Sequence, residues 1–335
     1  MNIWLGFVFC AGVILYAGTQ LSTQGEAIAA RTGLGRSWIG LVLLATVTSL
    51  PELISGVSAV TLHDLPNLAV SGTLGSCMLN MVVIASLDLA SKNRPVSQLV
   101  HEGHILSAGF CIVLIGFAAI DILFGKYLPI LTALNSIDPI SLVYIVVYLM
   151  AMKLIYAFEK KRRHEFVEEV AQAEEAKGQS LKRSIFIFVI NSIVIVVAAC
   201  YLPEIASQIS KMTGWGESFV GSSFVAVTTC LPEIAVSFAA ARMANFDMAV
   251  ANLLGSNLFN ICILAIVDLC YLKGPLLRSV SQVNALTALT TMIAMGIVVI
   301  GLTYRSEKKF LFVAGDAIAI FFVCLMANVL LFVVH

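Results

Sequence analysis

Charge is scarce in this chain: Asp, Glu, Lys and Arg make up only 12% of 335 residues, and 59% are hydrophobic. A soluble globular domain carries about one quarter charged residues, so a water-soluble enzyme or binding module is a poor fit. Acidic and basic residues balance at 20 each, which gives no electrostatic reason to expect nucleic acid as a partner. Cysteine pairing is lacking too. The eight cysteines (10, 77, 111, 200, 230, 262, 270 and 324) are scattered through apolar stretches, without the spacing of a zinc site or a disulfide framework. The five histidines (63, 101, 104, 164 and 335) sit in loops or at ends, with no nucleophile–base pair or phosphate loop beside them. The apolar run 3–17 has no basic segment before it, so it does not read as a cleaved signal.

What the chain has is long apolar runs. A bilayer span needs about 20 mostly apolar residues, and ten segments meet that criterion: 3–21, 37–62, 66–90, 104–124, 138–158, 184–202, 217–240, 247–270, 281–303 and 309–334. The fold class expected is all-α integral membrane, multi-pass in the cell membrane, with lipid and inorganic cations as its partners. The one long polar stretch, 159–183, mixes both signs of charge and reads as a solvated linker. Sixteen of the twenty Lys and Arg lie on the linker's side and four, Lys126, Lys211, Lys273 and Arg278, on the other. By the positive-inside rule the linker is cytoplasmic and both termini are outside. A monomer is the expected state.

The halves repeat each other. Residues 32–40 (TGLGRSWIG) match 213–221 (TGWGESFVG), and 45–53 (ATVTSLPEL) match 226–234 (AVTTCLPEI), both at an offset of 181. At an offset of 180, Gly75-Ser76 match Gly255-Ser256, Asn80 matches Asn260 and Asp88 matches Asp268. The expected organisation is a first five-helix repeat over 1–158 (core 33–90), the linker 159–183, and a second repeat over 184–335 (core 214–270). Five is odd, so the second half enters the membrane from the opposite side. Such inverted repeats place substrate near the midplane, between interrupted helices.

Spans two and seven each hold Leu-Pro-Glu. Proline lacks an N–H and clashes with the carbonyl four residues back, so Pro51 frees the Val47 carbonyl and Pro232 that of Thr228. In hydrocarbon a freed carbonyl must find protein, water or an ion. A carboxylate at mid-membrane costs ~2.5–3.5 kcal/mol on insertion scales, and here are two, Glu52 and Glu233, each with a threonine four residues earlier, Thr48 and Thr229. Two carboxylates among oxygen donors suit a hard divalent cation such as Ca²⁺, or sodium ions or protons in its place. Spans three and eight face them with Gly72, Thr73, Ser76 and Cys77 in one repeat and Asn252, Leu253, Ser256 and Asn257 in the other. Gly72, Gly75 and Gly255 allow close helix approach, and Asn257 offers an amide oxygen where its mirror, Cys77, offers none. Asp88 and Asp268, at span ends, are expected to cap helices or face interfacial water.

The doubled Leu-Pro-Glu and Gly-Ser segments resemble the calcium/cation antiporter superfamily, nearest its prokaryotic sodium/calcium exchanger-type members, over nearly the whole chain. The resemblance implies alternating-access exchange of Ca²⁺ for Na⁺, or for H⁺ in some branches, with no cofactor beyond the transported ions. It implies Glu52 and Glu233 as the principal Ca²⁺ ligands, carbonyls from Thr48 and Thr229, and sodium sites formed with Ala45, Ala226 and Ser49. Asn257 would line the centre, with Thr73 beside the first-repeat half. The chain departs from the family at Cys77, at Cys230 (where serine is usual) and at Leu253, opposite Thr73. Three other readings stay open: proton coupling through the glutamates, a softer divalent such as Mn²⁺ or Zn²⁺ at the thiols, and a channel or non-exchanging cation binder.

Overall fold

The computed structural model describes residues 2–32, 34–91, 94–127, 139–163, 180–213, 227–306, 309 and 313–334. Among the described residues the chain is helical, with no strand. The principal helices are α1 (Asn2–Thr32), α2 (Leu50–Thr61), α3 (Pro66–Ala90), α4 (Gly103–Phe124), α5 (Pro139–Arg163), α6 (Leu181–Thr213), α7 (Leu231–Arg242), α8 (Phe246–Cys270), α9 (Val283–Tyr304) and α10 (Gly315–Val334). Among the described residues, eight helical stretches are long and apolar enough to cross a membrane, and α10 contributes a shorter apolar helix, Gly315–Leu331. The first part of the predicted seventh span, with its repeat segment 214–221, and most of the linker lie outside the described residues.

Helix α8 occupies the centre, packed against α2, α3, α4, α5 and α7, with nearly every side chain from Met248 to Ala265 buried. Its apolar surface is therefore spent on protein contacts. The outer helices do the reverse. Val8, Phe9 and Tyr16 of α1, Val146 and Leu149 of α5, Phe186 and Ile193 of α6, and Phe322 and Leu325 of α10 are large, apolar and exposed, as lipid-facing residues are.

Three predicted spans differ in the structure. Helices α1 and α6 run past their predicted ends at 21 and 202, to Thr32 and Thr213. In α1 the polar continuation is held by protein, since Ser22 is buried and its hydroxyl donates to the Val236 carbonyl of α7 at 2.7 Å. The predicted second span is several pieces: Arg36–Trp38, a π-helix over Ile39–Leu44, a single turn Ala45–Thr48, and α2. The π segment packs on α8 at two glycines. A β-carbon on Gly40 would meet the Met248 carbonyl at 2.5 Å, and one on Gly255 would collide with the Leu41 carbonyl and with the Ala45 β-carbon. Close approach is thus required at Gly255. It is not at Gly72, where an added β-carbon meets nothing within 4 Å, so the expectation of tight packing there is corrected.

The loops repeat one pattern of contacts at an offset of 180. Asn67 Oδ1 accepts the Ser281 N–H at 2.7 Å and lies 3.5 Å from Asn284 Nδ2; Asp247 Oδ1 accepts the His101 N–H at 2.7 Å and lies 3.0 Å from His104 Nε2. Likewise Asp88 Oδ1 accepts the Val96 N–H and Asp268 Oδ1 the Leu276 N–H, both at 2.6 Å. The second oxygen of Asp88 takes the Ala314 N–H, and that of Asp268 takes the Ser141 hydroxyl. Both aspartates are buried. They fasten the chain that follows α3 and α8, and the expectation that they face interfacial water is replaced by that role. The clips tie α3 and α8 to α9, α4, α5 and the segment before α10.

Candidate functional site

Helices α2 and α7 begin inside the protein. Before α2 the chain turns at Ser49 (φ −90°, ψ 5°), and before α7 at Cys230 (φ −79°, ψ −2°), each followed by Leu and then Pro within the first helical turn. Proline is suited to that position because its missing N–H would have no helical partner there. The glutamate after it falls in the first turn, where unsatisfied N–H groups and the helix dipole favour a carboxylate. Serine at such a position ordinarily caps its own helix with its side chain, yet Ser49 does not. Its hydroxyl crosses to the other repeat and donates to Glu233 Oε1 at 2.9 Å.

The opposite contact is made by the mirrored residue. Cys230 Sγ donates to Glu52 Oε1 at 3.7 Å, and Ser76 Oγ reaches the same oxygen at 3.4 Å. Thr229 stands beside Glu52, and Thr48 beside Glu233. Thr48 also lies 3.5 Å from the Ser256 hydroxyl and 3.3 Å from the Ala45 carbonyl. Each glutamate is thus reached by the turn that precedes the other. The structure brings together Glu52, Glu233, Thr48, Thr229, Ser49, Cys230, Ser76 and Ser256, all of them buried.

Both carboxylates are nearly sealed from solvent, at 5% exposure for Glu52 and 1% for Glu233. One oxygen of each, Oε2, has no hydrogen-bond partner among the described residues, and neither glutamate has a Lys or Arg partner there. Burying a charged group without compensation is expensive. A mobile cation would supply the positive charge, meeting two carboxylates and hydroxyls on either side, with no Lys or Arg in competition among the described residues.

The remaining sequence candidates sit around this centre. Asn257 does not hold its amide oxygen free: Oδ1 accepts from Asn80 Nδ2 at 2.9 Å, while its own Nδ2 donates to the Cys77 carbonyl at 3.2 Å. It acts as a strut between α8 and α3. Thr73 Oγ1 donates to Ala69 on its own helix, and the Ala45 carbonyl accepts the Ser49 N–H at 3.1 Å, so neither is turned outright to the carboxylates. Asn252 donates to Ser237 at 3.0 Å, and its oxygen is buried with no partner among the described residues. Leu253 and Cys77 are fully buried. Ala226 lies outside the described residues.

Sequence reasoning noted Asn80 and Asn260 as matched but gave them no role. Asn80 holds Asn257, and Asn260 stands beside Cys77, the position that mirrors Asn257. The matched offset was the signal available. The Asn67 and Asp247 clips carried none, since the paired residues differ in type.

Ser49→Ala removes the hydroxyl that donates to Glu233 at 2.9 Å. Without it, cation affinity should fall by about tenfold or more, about 1.5–3 kcal/mol for a lost hydrogen bond to a charged group, while Cys230→Ala, losing only a weak thiol donor, should cost less. Half-saturating Ca²⁺ concentrations of the two variants check the order.

The family described as sodium/calcium exchanger protein matches residues 2–157 and 183–334, which is most of the chain. The inner membrane protein YrbG of Escherichia coli K12 is 28% identical over 253 residues, covering 75% of this chain and 74% of its own. The sodium/calcium exchanger MaX1 of Methanosarcina acetivorans is 26% identical, with 88% of each chain covered. The backbone is similar to that of the sodium-calcium exchanger NCX_Mj soaked with 10 mM Na⁺ and 10 mM Sr²⁺, with a TM-score of 0.72 at 20% identity and 97% of each chain covered. A helical membrane chain with this extent of match is a transporter and not an enzyme: it belongs to the sodium/calcium exchanger family.

Proposed function

We propose that this chain exchanges Ca²⁺ for Na⁺ by alternating access, with Glu52 and Glu233 sharing the exchanged ion, and that it exports Ca²⁺ from the cytoplasm. The observation that carries the reading is the pair of buried carboxylates, each with an unpartnered oxygen and each touched by the turn before the other. Spacing agrees with the ion. Neighbouring oxygens around a seven-coordinate Ca²⁺ at about 2.4 Å stand about 2.8 Å apart, and Ser49 Oγ and Glu233 Oε1 are 2.9 Å apart. Thr48 and Thr229 add oxygen donors on either side, with carbonyls loosened ahead of Pro51 and Pro232. The Na⁺ positions proposed are those flanked by Ala45, Ser49, Thr73 and Ala226.

Exchange follows from competition. The two negative charges are neutralised either by one divalent ion or by monovalent ions, so binding of one displaces the other. An empty site leaves both carboxylates buried and uncompensated, which disfavours crossing without cargo. The proposed organisation is two repeats, 1–158 and 184–335, related by inversion and acting as a monomer, with the linker 159–183 cytoplasmic and both termini outside.

Proteoliposomes test the reading: labelled Ca²⁺ uptake is measured against an outward Na⁺ gradient. Uptake that depends on that gradient is expected, and uptake indifferent to it removes Na⁺ coupling. Cys230 and Leu253, standing where hydroxyls would complete the second half, favour one alternative, coupling to H⁺. In that case a pH gradient drives uptake with Na⁺ absent.

A further inference from the structure

We propose that the Glu52 side of the site binds thiophilic divalent cations, the class of Cd²⁺ and Zn²⁺, and that Cys230 is the residue that sets this preference. The proposal rests on reading Glu52 and Glu233 as the cation site and adds a chemical polarity to it. Around Glu233 stand hydroxyls, those of Ser49 at 2.9 Å and of Thr48 with Ser256 beside it. Around Glu52 stand the hydroxyls of Ser76, at 3.4 Å, and Thr229, and sulfur joins them. Cys230 Sγ is 3.7 Å from Oε1, and Cys77, fully buried, follows Ser76 on α3, whose hydroxyl is 3.4 Å from the same oxygen. Both thiols occupy positions whose mirror residues, Ser49 and Asn257, carry oxygen. The halves of the site share a backbone plan and their flanking hydroxyls, and differ in donor hardness at these two positions.

Geometry separates the halves in the same sense. Two ligands of one tetrahedral zinc-like ion, with sulfur at about 2.3 Å and oxygen at about 2.0 Å, stand about 3.5 Å apart. The 3.7 Å between Cys230 Sγ and Glu52 Oε1 is close to that value. Glu52 Oε2, buried and without a partner among the described residues, adds a third donor with no contact to break. Thiolate and carboxylate together select borderline and soft ions over Ca²⁺. When such an ion binds, a metal–sulfur bond forms, the S–H bond breaks and its proton leaves to water, so one proton is released per ion and nothing is oxidised. Because the sulfur contacts the carboxylate proposed to carry Ca²⁺, a thiophilic ion seated there competes with Ca²⁺.

A reciprocal exchange of the mirrored residues tests this. In proteoliposomes, Cd²⁺ and Sr²⁺ are titrated against Na⁺-driven Ca²⁺ uptake in wild type, Cys230→Ser and Ser49→Cys. The readout is the ratio of the two half-blocking concentrations, which a general loss of activity does not move. Cys230→Ser is expected to weaken Cd²⁺ relative to Sr²⁺ by about tenfold or more, and Ser49→Cys to strengthen it, as thiolate is lost or gained among the ligands. The gain in Ser49→Cys cannot come from misfolding. A ratio unchanged in both variants overturns the proposal. If wild type shows no Na⁺-driven uptake at all, the exchange reading fails separately. The thiol assignment is then read from Cd²⁺ titration of the purified protein. The Sr²⁺-displaceable part of the sulfur-to-metal absorption should disappear in Cys230→Ser, and its persistence there overturns the proposal.

Discussion

Glu52→Gln and Glu233→Gln each reduce Ca²⁺ transport by about a hundredfold or more, which corresponds to losing roughly 3 kcal/mol of ion binding. Glutamine keeps the length and shape of glutamate but removes the charge that a divalent ion neutralises. Both side chains are buried, each with one oxygen lacking a partner among the described residues, so an amide there is less costly to the empty protein than a carboxylate. The variants should therefore melt at the wild-type temperature or above it while transport is lost. That pairing separates loss of a ligand from loss of fold. The two variants should also be nearly equal, because Ser49 and Cys230 cross-brace the carboxylates into one site. Wild-type rates in either variant, measured as Na⁺-driven Ca²⁺ uptake, contradict the shared site.

Gly255→Val is expected to have the largest effect of any change outside the carboxylates. The π segment Ile39–Leu44 lies against α8 where Gly255 has no side chain, and even a β-carbon there collides with the Leu41 backbone and with Ala45. A backbone contact cannot be relieved by a rotamer change, so overpacking costs at least the usual 1–3 kcal/mol, roughly, and displaces the segment. Displacement matters because Ala45–Thr48 and Ser49 follow directly from that segment. Transport should be abolished and the melting temperature in detergent lowered by several degrees. Gly72→Ala is the control. Its β-carbon meets nothing within 4 Å, so melting should stay close to wild type.

Much of this was legible in the sequence for physical reasons. Long apolar runs leave few alternatives to membrane helices, and a carboxylate in such a run is too costly to be idle, which singled out Glu52 and Glu233 before any coordinates. Proline after a polar residue located the interruptions to within two residues, at Ser49 and Cys230. Other features depend on contacts between distant segments. The π segment reflects backbone packing on Gly40 and Gly255, which no local periodicity encodes. Ser22 and Gln24 end the apolar run of α1 without ending the helix, because protein and not lipid covers them. Asn257 looked like a donor to the ion because its type suits one, but Asn80, 177 residues away in sequence, claims that oxygen. Asn67 and Asp247 do the same work with different side chains, so identity-based matching of the repeats passed them over. Cys230 shows the converse: a departure visible in sequence whose meaning required its contact with Glu52.

The crossing of Ser49 to Glu233 and of Cys230 to Glu52 also bears on how exchange is gated. A carboxylate held from both halves loses part of its ligand set when the halves separate toward either side. In the proposed alternating-access cycle, release would thereby be tied to the rearrangement that opens the site.

Equilibrium binding of labelled Ca²⁺ to the purified protein tests the central claim most directly, comparing wild type with the double variant Glu52→Gln/Glu233→Gln. The expected result is Ca²⁺ bound by wild type and displaced by Na⁺, with both the binding and the displacement lost in the double variant. Ca²⁺ bound with unchanged affinity and still displaced by Na⁺ in the double variant would contradict a cation site built on Glu52 and Glu233.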